Sequence, residues 1–98
     1  MAEIALKTRS ATVNLDEVRS VLSSALRREA ELADARRAYF ERACRAFEQQ
    51  HQMSSDDFMR QFEAGTLGDE AEHFDWYAAK RGLDVWTRHF HILSEVAV

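Results

Sequence analysis

The sequence predicts an all-α fold: two long antiparallel helices, a helical hairpin, joined by a short helix and preceded by an extended N-terminal arm. Three observations predict it. Proline is absent and glycine occurs only at Gly65, Gly68 and Gly82, so few points favour a tight turn. No breaker stands between Leu15 and Gln50, a span that as a helix reaches roughly 50 Å. Finally, Trp76, Ala79, Leu83, Trp86, Phe90, Leu93 and Ala97 recur at alternating steps of three and four, a heptad stripe. A helix so long in a chain of 98 residues must lie along another helix.

The elements follow in order. Residues 1–13 form the arm, in which Ile4, Leu6, Thr8, Ser10 and Thr12 alternate with Ala5, Lys7, Arg9, Ala11 and Val13, a weak strand pattern or a mobile segment. A lone strand cannot satisfy its own backbone, so the expected pairing is with another chain. Residues 14–98 form one helical domain. Its first helix spans about 14–51, with Asn14 as cap and Glu17 at the capping-box position. Leu15, Val18, Leu22, Leu26, Ala33, Phe40, Ala43 and Phe47 line its apolar face, interrupted near the middle by Glu29 and Arg36. The short helix spans about 54–64: Ser54 caps it, Asp57 takes the capping-box position, Met53 and Phe58 form a staple, and Gly65 stops it. The last helix spans about 69–96, with Asp69 as cap and Glu72 three residues on. Phe74, Tyr77, Val85 and Ile92 widen its stripe, and Gly82 weakens its middle.

Charge is unevenly spread. The chain carries 13 Lys and Arg against 17 Asp and Glu. Between Asp56 and Asp75 there are seven acids and one base, Arg60. Such a surface repels nucleic acid and favours a basic partner. The basic pairs Arg27–Arg28 and Arg36–Arg37 enclose Glu29, Glu31 and Asp34, so they do not make a phosphate track. A ribbon-helix-helix arrangement would use residues 3–9 as ribbon, with Lys7 and Arg9 as DNA contacts. It needs a turn inside 15–50 that the sequence does not supply.

Chemistry-bearing patterns are sparse. His89 and His91 stand two apart and so point to different helix faces; with His51 and His73 they complete no ligand set, and neither a metal nor any other cofactor is expected. Cys44, the single cysteine, reads as a small buried apolar residue and excludes an internal disulfide. No glycine-rich phosphate loop or nucleophile elbow occurs, so the chain is not expected to be an enzyme. The N-terminus shows no basic stretch followed by an apolar run, and no segment is long enough to cross a membrane, so the cytoplasm is the expected location.

Two resemblances add to this reading. Residues 53–86, MSSDDFMRQFEAGTLGDEAEHFDWYAAKRGLDVW, resemble antitoxin-type partners of bacterial and archaeal toxin–antitoxin modules. Those small proteins share the long N-terminal helix, the Met-Ser-Ser-acid-acid-Phe start, the Phe-Glu-Ala-Gly-x-Leu-Gly-Asp turn and a Trp-Tyr step. The resemblance implies a binding role beside a small toxin. Its motif residues are caps, a staple and turn glycines, so no functional residue carries over. Arg45, five residues and His51 resemble the Arg-to-His spacing of HEPN-type ribonucleases, which would imply RNA cleavage; Ala46 stands where that family usually has a polar residue.

The expected function is therefore an antitoxin-like protein-binding module, with a helical scaffold or coiled-coil oligomerisation subunit as the alternative and the HEPN-like ribonuclease behind both. The expected partner is a basic, toxin-like protein, with a homodimer as the assembly. The expected contact residues are Asp69, Glu70, Glu72, Asp75, Trp76 and Tyr77: an aromatic pair ringed by carboxylates suits a basic, partly apolar partner.

Overall fold

The computed structural model describes residues 2–3 and 5–98. In chain order it holds β1 (Ala2–Glu3), α1 (Leu15–His51), α2 (Ser55–Glu63), α3 (Ala71–Ser94) and β2 (Val96–Ala97). The all-α hairpin expected from the sequence is present.

α1 starts where Asn14, in extended backbone, accepts the N–H of Asp16 on its side-chain oxygen at 2.7 Å. Asp16 and Glu17 then face the positive end of the helix dipole. Along the outer face Arg37 bridges Asp34 at 3.0 Å and Glu41 at 2.5 Å, and Arg45 joins Glu41 at 2.8 Å. The helix ends at Gln52, which takes the left-handed conformation at φ 52° without being glycine. Its side-chain amide donates to Gln49 O at 2.8 Å.

α2 opens on Ser54, whose hydroxyl accepts the N–H of Asp57 at 3.1 Å, while Asp57 itself pairs with Arg60. Gly65 at φ 74° closes it, with Gly65 N–H donating to Phe62 O and Thr66 N–H to Gln61 O.

α3 runs antiparallel to α1, as a ladder of contacts shows. Phe47 stacks on Trp76, Phe40 lies against Gly82, Arg36 sits 4.5 Å over the Trp86 ring, and Leu26 and Ala30 enclose a cavity with Leu93 and Val96. A Cβ on Gly82 would stand 2.7 Å from the Phe40 ring, so this glycine lets the two helices approach there.

Three expectations are corrected. α3 begins at Ala71 with Glu70 as its cap residue and without a side-chain cap bond, not at Asp69. Glu72 does not reach back to the cap, because its carboxylate pairs with His51 Nε2 at 3.1 Å. The arm does not need another chain: Ala2–Glu3 pairs in parallel with Val96–Ala97 of the same chain, and α3 stops at Ser94, leaving those two residues free to pair.

The core is one side chain thick. Ala33, Cys44, Phe58, Trp76 and Ala79 are its buried apolar residues, and Ser55 its buried polar one. The molecule measures 62 × 23 × 22 Å with a radius of gyration of 19.4 Å, against about 13 Å for a compact chain of this length. Among the described residues no helix is long and apolar enough to cross a membrane.

Candidate functional site

The end of the rod where α2 caps the hairpin holds the densest arrangement of rings and charges. Its floor is Trp76, 1% exposed. The indole stacks on Phe58 at 4.0 Å and 8°, on His51 at 5.1 Å and on Phe47 at 5.6 Å. Its N–H donates to Ser55 Oγ at 2.9 Å, and Ser55 N–H donates to Glu48 Oε2 at 2.9 Å. Among the described residues every buried side-chain polar atom has a partner. One indole thus ties α1, α2 and α3 together.

Further out, Phe62 tilts against Phe58 at 5.5 Å, Tyr77 stacks on Phe62 at 4.8 Å, and Phe74 meets Phe62 edge-on at 5.4 Å. Phe74 is 54% exposed, while Phe62 and Tyr77 are half-buried. The result is a three-ring apolar surface. Exposed carboxylates of Glu63, Asp69, Glu70 and Asp75 belong to the same segment. Lys80 clamps the first turn of α2 to α3, its ammonium 2.7 Å from Asp84 and 3.3 Å from Asp56. Burial pulls its pKa down, but the two carboxylates outweigh burial and hold it above the ordinary lysine value.

The six residues expected at the surface divide. Asp69, Glu70 and Asp75 are exposed. Tyr77 is half-buried against Phe62, and Glu72 is half-buried on His51. Trp76 is in the core, because α2 lies over it. Phe74, two residues earlier, holds the exposed aromatic position instead. The signal was present: two residues turn a helix by about 200°, so Phe74 and Trp76 had to face opposite ways. What the sequence lacked was the side that α2 covers.

Most of the remaining chemistry-bearing residues are engaged structurally. Arg45 is held by Glu41, and His51 by Trp76 and Glu72. His73 Nδ1 lies 2.7 Å from Gly68 O, and His89 packs edge-on to Trp86. Cys44 is 2% exposed, and burial pushes its thiol pKa up against the opposing effect of Ser55. Lys7 and Arg9 are exposed on the arm. No group of three or more His, Cys, Asp or Glu is placed to hold a metal among the described residues. Comparison with protein-family models, curated proteins and solved structures gives no match for this chain.

Proposed function

We propose that this chain is a protein-binding module of the antitoxin kind, which seats a basic, partly apolar partner on the acidic end formed by α2 and the start of α3. One observation carries the reading: Phe74 stands open on the edge of Phe62, beside Tyr77, in a segment rich in carboxylates. A ring exposed on a preformed aromatic base loses little side-chain freedom on contact, and surrounding acids steer a positive partner toward it. The rim charges then set the association rate and its salt dependence, whereas Phe74 sets the lifetime of the complex.

The test is co-expression and titration with the product of the gene adjacent to this one. The expected result is a product that is toxic alone and neutralised by this chain. Phe74→Ala with Asp75→Lys should weaken binding roughly 30-fold or more, the scale of a hot-spot loss of about 2 kcal/mol. Helicity by circular dichroism should stay unchanged, since both side chains lie outside the core. An adjacent product that neither inhibits growth nor binds, or unchanged affinity in the double variant, overturns the reading.

A further inference from the structure

The opposite end of the rod carries a second surface, independent of the acidic end. α1 is 37 residues long and α3 is 24, about 55 Å against about 36 Å of helix. α3 runs out beside Ser23, Leu26, Arg27 and Ala30, which share a cavity with Leu93, Val96, Ala97 and Val98. The first two turns of α1 therefore project past it. The apolar stripe does not stop there. Leu15, Val18, Leu22, Leu26 and Ala33 share the face that α3 covers further along. On that face Ala33 is 0% exposed, Leu26, Leu22 and Val18 are half-buried and Leu15 is 43% exposed, with the exposed Glu29 interrupting between Leu26 and Ala33. Val13, Val18, Val21 and Leu22 form an open groove with Glu17, and Val21 is 66% exposed. Residues 7–13 of the arm are exposed and Leu6 is half-buried, with Val13 contributing to the groove's wall.

We propose that the projecting turns of α1 are a homodimer interface, in which a second copy of this chain lays its own projection antiparallel across the first. The missing cover is a short helical segment that runs antiparallel to α1 and continues the line of α3. The projection of a second copy is such a segment, of the same length and with the same part-exposed apolar face. A two-fold arrangement buries both projections at once and closes without leaving a free copy of the surface. Charge supports this orientation. The first turn of α1 is acidic, with Asp16 and Glu17, and the exposed pair Arg27–Arg28 lies three turns later. Antiparallel overlap brings the acids of each copy toward the arginines of the other; parallel overlap sets like charges side by side. The partner's helix N-terminus also follows the C-terminus of α3, so the two dipoles run head to tail.

The full chain is examined by light scattering after size exclusion and by small-angle X-ray scattering. The expected result is a dimer with a maximum dimension on the order of 110 Å, two 62 Å rods overlapping along their projecting first two turns. Leu15→Glu with Val21→Glu should weaken dimerisation at least a hundredfold and leave a monomer. Asp16→Lys with Glu17→Lys should do the same, and adding Arg27→Glu with Arg28→Glu should restore the dimer. That restoration is a readout that a general loss of helix stability would not give. A wild-type chain that stays monomeric at hundreds of micromolar, a dimer indifferent to Leu15→Glu with Val21→Glu, or a charge reversal that the compensating pair does not rescue overturns the proposal. Because neither Phe74 nor Asp75 lies at this end, the dimer should persist in the Phe74→Ala, Asp75→Lys variant, so this interface and the acidic surface fail separately.

Discussion

Trp76 concentrates more of the packing than any other side chain. Its replacement by alanine removes three ring contacts and orphans Ser55, so a loss of about 3–5 kcal/mol is expected, a large share of the stability of a domain this size. Trp76→Phe keeps most of the stacking and loses the indole N–H. In a double-mutant cycle with Ser55→Ala, measured by urea unfolding, the coupling should be about 1 kcal/mol. Gly82 is the opposite case. A helix interior favours alanine over glycine by about 1 kcal/mol, yet Gly82→Ala would drive a methyl into the Phe40 ring. The net effect should be a loss of about 1–2 kcal/mol, recovered when Phe40→Leu is combined with it. Cys44 combines near-complete burial with a raised pKa, so a thiol reagent should modify it only as fast as the chain opens. Burst labelling of the folded protein would contradict its placement. The sequence identified Cys44 and Trp76 as apolar contributors but could not rank Trp76 below Phe74 in exposure. That ranking depends on where α2 docks, and no local pattern encodes it.

The helices were legible where their ends are chemical. Asn14 and Ser54 cap as their side chains dictate, and Gly65 stops α2 because it reaches positive φ without penalty. Ser54→Ala should cost about 1 kcal/mol in thermal unfolding. Two other ends were not legible. α1 stops at Gln52, a left-handed residue for which the sequence gives no glycine signal; its amide bond to Gln49 O offsets part of the strain. At α3 the spacing of Asp69 and Glu72 read as a capping box, but His51, 21 residues earlier, takes Glu72. A distant partner outcompeted a local one. The strand pair was missed for the same reason: Ala2–Glu3 meets Val96–Ala97 from the other end of the chain. On the outer face of α1, Glu41 is held below the usual carboxylate value first by Arg45 and then by Arg37. Because the folded form favours the charged carboxylate, that contribution is complete above the ordinary value of 4.5 and is lost as pH falls below it. Glu41→Gln should therefore lower the melting temperature near and above neutrality, where the contribution is complete, and flatten the acid limb of the profile.

At the scale of the whole molecule, an elongated rod with a thin core has little surface to hide, so its exposed apolar residues are informative. Leu15 and Val21 lie toward one end and Phe74 toward the other, with Leu32, Tyr39, Val85 and Ile92 exposed between them. The uneven charge read from the sequence takes spatial form, since the acids from Asp56 to Asp75 gather at the α2 end while Arg27, Arg28 and Arg88 lie nearer the other. Raising ionic strength should slow association of a basic partner at the α2 end while leaving its dissociation nearly constant, a separation that stopped-flow kinetics resolves. The fold class and the acidic segment were legible because both follow from periodicity and composition. The ring that faces outward was not, because it is set by the mutual placement of three elements.

The two indoles have contrasting surroundings, and that difference makes them optical reporters. Trp76 is sealed among Phe47, Phe58 and His51, whereas Trp86 sits beneath Arg36 with His89 at its edge and stays partly wet. In a Trp86→Phe background all tryptophan emission comes from the acidic tip. A red shift on gentle heating would then time the lifting of α2 from the hairpin, and any mismatch with loss of ellipticity would measure how far that tip unlatches before the rod melts.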